Sequence, residues 1–402
     1  MPLQAFPCRA FQGSFAIGVR VLPWRSPTVL SGAGSLSQLP DVFSREGASR
    51  PLVVASRRMC ADEHFLALRR SLEARGITLS IFSGVRPDPD IATVEAIAAQ
   101  YRSDHCDSFL AIGGGSPIDA AKVAAARVVC PNRSVARLKG LLKVRRALPL
   151  FIAVPTTAGT GSEATIAAVI TDEQHRKYAV SDLCLVPRYA VLDPTLTVSL
   201  PPAVTAQTGL DALTHAVEAY LSLYYNTAET RALAEHAVVD IFRYLPVAFR
   251  DGTSLTAREK LLRASFDAGC AFTRASVGNV HAVAHTLGGL YGIPHGLACA
   301  AALPVVLEDY GKAVHPRLAR LASLIGINGS ERERAEGFLA ALRSLNASLA
   351  IPDHFDALRE EDFPRMAAWA CAEANPVYPV PVVYDAACFC RILSRLHTGP
   401  QT

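Results

Sequence analysis

An α/β half built on a parallel sheet, followed by an all-helical half, is the fold class the sequence predicts, and three observations carry it. Before Asp193-Pro194, short apolar runs rich in β-branched residues alternate with helically spaced segments, which is the pattern of a parallel sheet covered on both faces. Beyond that point strand signals nearly vanish, and Ala/Leu-rich segments of helical period take over. The chain is 402 residues long, roughly two to three times the usual domain length.

In order along the first half, Pro51 to Ala55 reads as a buried strand, Glu63 to Arg75 as a helix, Thr78 to Phe82 as a second strand and Ile91 to Arg102 as a second helix. Phe109 to Ile112 and Leu150 to Val154 are further strands, each ending in a turn rich in Gly or Thr. In the second half, Ala203 to Ser222, Thr227 to Tyr244, Ala257 to Ala275 and Val280 to Leu290 carry helical spacing. Pro201-Pro202 blocks continuation of any element, so the expected domains are residues 1–197 and 198–402. Pro2, Pro7 and Pro23 argue against a helix at the N-terminus, which is read as part of the folded protein.

Half the residues are hydrophobic and 19% are charged, which suits a compact enzyme. The net charge of +4 comes from 40 basic against 36 acidic residues spread along the chain, whereas nucleic-acid binders concentrate their basic residues. No apolar run reaches the ~18 residues of a membrane span. Ten scattered cysteines with no Cys-x-x-Cys pair fit a reducing, cytoplasmic setting.

Two turns suggest a nucleotide. Gly113-Gly114-Gly115-Ser116-Pro117-Ile118-Asp119 follows one strand and opens a helix. Glycines let a backbone approach a pyrophosphate closely, and a helix N-terminus turns N–H donors toward it. Pro155-Thr156-Thr157-Ala158-Gly159-Thr160-Gly161-Ser162-Glu163 follows the next strand. Its hydroxyls can bond phosphate, ribose or an amide, or simply cap a helix. Two such turns after neighbouring strands favour a dinucleotide crevice.

A metal constellation lies in the helical half. Asp211 and His215 are four apart and share one helix face. His281 and His285 repeat that spacing in an apolar segment, and His295 follows in Gly292-Ile293-Pro294-His295-Gly296. One carboxylate with three imidazoles makes a four-ligand shell suited to zinc, iron, cobalt or nickel, able to act as a Lewis acid on a substrate oxygen.

Taken together, the stretches Ala111 to Lys122, Pro155 to Glu163, Pro187 to Pro202, Thr208 to Tyr220 and His281 to Gly296 resemble the iron-containing (group III) alcohol dehydrogenases. The resemblance implies an N-terminal dinucleotide-binding, Rossmann-like domain and a helical C-terminal domain of dehydroquinate synthase-like architecture, with the metal in the cleft between them and a homodimeric assembly. It implies Asp211, His215, His281 and His295 as ligands of Fe(II), with zinc the alternative. Gly114, Gly115 and Ser116 fall at the pyrophosphate, Asp119, Thr156, Thr157 and Thr160 along the cofactor, and Lys177 on a cofactor-contacting lysine. His285 falls near the nicotinamide, where it can relay a proton. Ala167, Phe272 and Arg274 fall at the substrate pocket, Arg274 with a structural ion pair as its alternative role.

The implied reaction is hydride transfer between NAD or NADP and a small-molecule alcohol or aldehyde. Ser56, followed by Arg57 and Arg58, stands where NAD-preferring members often carry an acid, so NADP(H), alone or alongside NAD(H), is the expected cofactor. Asn375-Pro376-Val377 departs from the family pattern, which continues with arginine. The competing readings are a zinc polyol dehydrogenase, a dehydroquinate-synthase-like lyase and a non-catalytic nucleotide-binding protein.

Overall fold

The computed structural model describes residues 5–173 and 177–398. By its internal contacts the chain divides into a unit of Pro23–Ser199 and a unit of Met1–Leu22 with Leu200–Thr402. The helix α1 (Ala5–Val21) therefore belongs to the helical unit, a correction to both the expected break at the N-terminal prolines and the placement of residues 1–22 in the first domain. Pro7 sits in the first turn of α1, where its missing N–H removes no helical bond. Arg9 and Gln12 then tie α1 to the C-terminal segment, donating to the carbonyl oxygens of Val380 and Pro381 and of Pro376 and Tyr378.

The Pro23–Ser199 unit holds strands β1 (Thr28–Ser31), β2 (Pro51–Ala55), β3 (Ser80–Phe82), β4 (Ser108–Gly113), β5 (Gly140–Leu141), β6 (Leu150–Pro155), β7 (Ala167–Thr171), β8 (Lys177–Ser181) and β9 (Tyr189–Leu192). Among the described residues, six of them form one parallel sheet in the order β1-β9-β6-β4-β2-β3, and β5-β8-β7 form a small second sheet. Helices α2 (Leu39–Glu46), α3 (Arg57–Cys60), α4 (Glu63–Glu73), α5 (Ile91–Ser103) and α6 (Gly115–Val129) connect the strands.

Alternation along the central strands splits the core in two. Leu52, Val54, Phe109, Ala111, Phe151 and Ala153 pack on one face with residues of α5 and α6. Val53, Ala55, Leu110, Ile112, Ile152 and Val154 pack on the other with α2 and α4. Successive side chains of a strand point to opposite faces, so strands buried on both sides read as the continuous apolar runs seen in the sequence. Register places Leu52 beside Phe109 and Phe109 beside Phe151, and the Tyr101 and Phe109 rings stack at 4.6 Å. Asp62 and Asp90 cap α4 and α5 through their side chains.

One polar group crosses this apolar layer. Lys122 of α6 is fully buried, and its Nζ donates to the carbonyl oxygens of Ser162, Thr165 and Ala167 at 2.5, 2.7 and 3.1 Å. Burial lowers its pKa to about 8, while nearby Asp119 and Glu163 oppose that shift. The ammonium is thus a pin that holds the segment after β6 onto α6.

The helical unit adds α7 (Pro202–Leu221), α8 (Ala228–Arg250), α9 (Leu255–Ala275), α10 (Asn279–Tyr291), α11 (His295–Tyr310), α12 (His315–Leu324), α13 (Glu331–Ser348), α14 (Phe363–Ala374) and α15 (Ala386–Thr398). α7 is central, packed by α8, α9 and α11, and is buried along nearly its whole length from Gly209 onward. Capping boxes at Thr227 and Ser330 start α8 and α13. Among the described residues no helix is long and apolar enough to cross a membrane, and no disulfide joins any of the ten cysteines.

Replacing Lys122 by methionine takes its donor from three carbonyl groups and leaves that of Thr165 with no donor among the described residues, while Thr165 still donates to those of Ser162 and Ala167. The expected cost is about 3 kcal/mol, read as a lower urea midpoint at unchanged slope; an unshifted midpoint would show that the pin is not needed.

Candidate metal and dinucleotide sites

In the helical unit, α7, α10 and the start of α11 bring the predicted ligands into one cluster. Asp211 Oδ1 lies 3.4 Å from His295 Nε2 and 4.0 Å from both His281 Nε2 and His215 Nδ1. The His215 ring stacks between Phe272 at 4.1 Å and His281 at 4.5 Å. Ligand atoms of Asp211, His281, His295 and Cys299 all fall within 4.8 Å of one another. Helix α11 reaches α7 because residue 296 is glycine: a Cβ there would stand 2.2 Å from the Gln207 carbonyl oxygen.

The chemistry of this donor set fits a divalent cation. Asp211 Oδ1 and His281 Nε2 are buried and have no hydrogen-bond partner. Burial raises the Asp211 pKa against the opposing influence of His215, Cys299 and His285, and burial pushes His281 down so that its imidazole is neutral. A buried carboxylate facing the neutral His281 imidazole is costly unless a cation joins them. Donors held at ~2.1 Å around a tetrahedral ion lie about 3.4 Å apart, the spacing seen between Asp211 and His295.

Glu218 orients this cluster. Its carboxylate meets His281 Nδ1 at 2.5 Å and accepts the backbone N–H groups of Gly278 and Val280. This fixes the tautomer, leaving the His281 Nε2 lone pair for the cation. Burial raises the Glu218 pKa, opposed by those backbone donors. Glu218 carries no role in the sequence reading, although Asp211, His215 and Glu218 lie at i, i+4 and i+7 on one helix face, a detectable signal.

His285, one turn after His281, instead meets Glu373 of α14 at 2.7 Å, and Tyr378 Oη donates to the same Glu373 oxygen at 2.7 Å. Burial works against ionisation of Glu373, but His285 and Tyr378 outweigh it and hold its pKa below the usual value. Glu373 lies 88 residues from His285, and no local pattern announces it. Phe272 stands against His215 as an apolar wall. Arg274 is paired with Glu229 at 3.0 Å, so the structure realises its ion-pair alternative.

In the α/β unit, the chain turns from β2 to one edge and returns to place β4 on the other side of β2. The ends of β2 and β4 are thus the topological switch point where α/β sheets bind ligands. Ser56 follows β2 and caps the short α3, its Oγ accepting from Met59 N. Gly114 follows β4, and α6 begins with no side-chain cap, leaving its first N–H groups for an anion. A Cβ on Gly115 would lie 2.8 Å from Thr160 Cγ2, and Thr157 Oγ1 stands 3.3 Å from where one on Gly114 would begin.

Gly114, Gly115, Ser116, Thr157 and Thr160 are therefore brought to one cradle, with Thr156 N donating to the Gly113 carbonyl oxygen. Asp119 serves the frame: its carboxylate accepts from Ser162 Oγ and Val169 N. Lys177 Nζ pairs with Asp88 at 2.6 Å. Ala167 opens β7, its carbonyl oxygen engaged by Lys122 and Thr165. Arg57 and Arg58 are exposed beside Ser56 and, among the described residues, pair with no acid.

A dinucleotide cradle at a sheet switch point and a carboxylate–imidazole cluster in a helical unit define a nicotinamide-dependent, metal-dependent oxidoreductase. The chain belongs to the iron-containing alcohol dehydrogenase family: the family model matches residues 26–194 and the model of its C-terminal region matches 205–388. It is 40% identical over 356 residues to 1,3-propanediol dehydrogenase of Klebsiella pneumoniae, covering 86% of this chain and 90% of that one. A solved 1,3-propanediol oxidoreductase superposes with a TM-score of 0.89 at 33% identity, over 94% of this chain and 100% of that chain. Sulfoacetaldehyde reductase from Bifidobacterium kashiwanohense, solved with NAD+, superposes at 0.83 and 29% identity, over 94% and 100%. The activity class is alcohol dehydrogenase.

Two substitutions test the metal geometry by chelator competition. Glu218→Gln weakens the His281 orienting bond, with an expected loss of about 10- to 100-fold in metal affinity. Gly296→Ala forces His295 away from Asp211 and is expected to lose at least as much; wild-type affinity in both variants would remove these residues from the site.

Proposed function

We propose that the protein catalyses reversible hydride transfer between NAD(P) and a small alcohol or aldehyde, as a homodimeric cytoplasmic enzyme whose Asp211, His215, His281 and His295 hold Fe(II), with zinc the alternative ion. The observation that carries this reading is the pair of buried, partnerless donor atoms on Asp211 and His281 facing His295. When bound, the ion supplies a Lewis acid that favours negative charge on the substrate oxygen, and the nicotinamide supplies the hydride acceptor or donor.

The chain's own residues do the remaining work. The uncapped start of α6 and the Gly114-Gly115-Ser116 turn bind the pyrophosphate, while Thr156, Thr157 and Thr160 line the cofactor beside it. Asp119 and Lys122 keep that turn in register, and Lys177 serves as a cofactor contact next to its Asp88 pair. Phe272 excludes water from one side of the cluster, and Ala167 serves as a separate substrate contact in the α/β unit. His285 carries the hydroxyl proton on Nε2 while Glu373 holds Nδ1–H, and Tyr378 keeps Glu373 in place. Family membership across both halves favours this reading over the lyase, polyol dehydrogenase and non-catalytic alternatives.

The 1,3-propanediol dehydrogenase relative supports a short, uncharged diol, hydroxyaldehyde or primary alcohol as the substrate class. A carboxylated or sulfonated substrate would require Arg274 to leave Glu229. NADP(H), alone or alongside NAD(H), follows from Ser56 and the two exposed arginines, since guanidinium groups bind a 2′-phosphate that an acid would repel.

The direct test is anaerobic loading with Fe(II), Zn(II), Co(II) or Ni(II), followed by NAD(P)H oxidation against a panel of short aldehydes. Metal-dependent turnover is expected, and a loaded protein inert toward the whole panel with both cofactors would end this proposal. His285→Ala is expected to lower kcat by ~100-fold or more, with Glu373→Gln nearer ~10-fold; an unchanged pH–rate profile in both would remove the relay. Replacing Arg57 and Arg58 together by alanine should raise KM for NADPH about tenfold, roughly one charge-assisted bond, without moving KM for NADH. An equal change for the two cofactors would refute the 2′-phosphate role.

A further inference from the structure

Cys299 sits on α11 one turn after His295, fully buried, with Sγ 3.7 Å from His295 Nε2. Buried cysteines usually serve as small hydrophobes, but this one faces a polar cluster. A ligand atom from each of Asp211, His281, His295 and Cys299 lies within one 4.8 Å sphere of separations. In the same cluster Asp211 Oδ1 and His281 Nε2 are buried without hydrogen-bond partners.

The donor spacing suits a ligand, and it is also that of a thiol–imidazole hydrogen bond which a bound cation would replace. A tetrahedral ion with nitrogen at ~2.1 Å and sulfur at ~2.3 Å sets the two donors about 3.6 Å apart. The His295–Cys299 separation of 3.7 Å meets that spacing, as the 3.4 Å between Asp211 and His295 meets the nitrogen–oxygen one. The i, i+4 step along α11 places both donors on the same helix face, with no loop movement needed.

We propose that Cys299 Sγ is a further direct donor to the divalent cation held by Asp211, His215, His281 and His295. This rests on the reading that the cluster binds such a cation. Loading displaces the thiol proton to solvent, because a coordinated thiol is bound as thiolate. Two negative donors, the carboxylate and the thiolate, then balance the charge of a divalent ion in a buried site. The softer sulfur shifts preference toward thiophilic ions such as zinc and cobalt and away from magnesium or manganese. It also makes the iron-loaded site vulnerable to oxidants that attack sulfur.

Cobalt(II) reads the two levels of the claim separately. In the full-length protein loaded anaerobically with cobalt(II), a strong near-ultraviolet thiolate-to-cobalt charge-transfer band is expected together with weaker visible ligand-field bands. Cys299→Ser and Cys299→Ala should lose the near-ultraviolet band and keep the visible ones. Their zinc affinity in chelator competition should fall by about tenfold or more, the scale of losing even an outer-lying partner. Visible bands without the near-ultraviolet band in the unmodified protein overturn the thiolate assignment and leave the metal reading standing. So does a near-ultraviolet band of equal strength in both Cys299 variants, which would place it on other cysteines. Absence of both bands after loading, or visible bands that survive Asp211→Asn, overturns the metal reading itself and this assignment with it.

Discussion

A carboxylate taken out of water beside a cluster of imidazoles is the interaction on which the helical unit depends. Stripping Asp211 of solvent costs several kcal/mol even after relaxation, and among the described residues only His215, Cys299 and His285 oppose that cost. The surrounding structure holds the cost in place. α7 is buried along most of its length, so Asp211 cannot turn to solvent. Glu218, on the same face of α7, grips the start of α10 through two backbone N–H groups and the His281 ring. Gly296 lets α11 press onto α7. Three helices therefore converge on a point that is electrostatically unfavourable unless a cation occupies it.

The α/β unit solves the opposite problem, keeping backbone donors free while anchoring the loops around them. The start of α6 stays uncapped, and neighbouring side chains crowd the glycines that precede it. Rigidity is supplied from beneath by buried Lys122, which gathers carbonyl groups of the following turn, and by Asp119, which receives Ser162 and Val169. The cation and the anion that order this turn lie one turn apart on α6.

Much of this was legible in sequence because the signals were local. The central strands are buried on both faces, so they read as unbroken apolar runs. The Asp211/His215 and His281/His285 pairs repeat at one helical turn, and each glycine-rich turn follows its strand directly. The short β5-β8-β7 sheet and the partners of the two histidines on α10 depend on segments far apart in the chain. Nothing around Glu373 or Tyr378 marks them as companions of His285. The prolines of the N-terminal segment misdirected the reading, because Pro7 falls in the one helical turn that tolerates it. Cys299 was hidden for another reason: a cysteine in an Ala-rich helix reads as packing until its distance to His295 is known.

The two histidines of α10 show how one helix can set two imidazoles in different surroundings side by side. His281 and His285 are a single turn apart, and each meets a carboxylate through Nδ1. Their carboxylates are pushed in opposite directions: burial raises Glu218, whereas His285 and Tyr378 outweigh burial and lower Glu373. The His281 side chain is 3% exposed and that of His285 24%. The sealed imidazole is held neutral with Nε2 lacking a hydrogen-bond partner, while the partly open one stands beside a carboxylate held below its usual pKa. Division of labour on α10 thus follows from depth and from what grips the partner carboxylate, backbone N–H groups in one case and a phenol in the other.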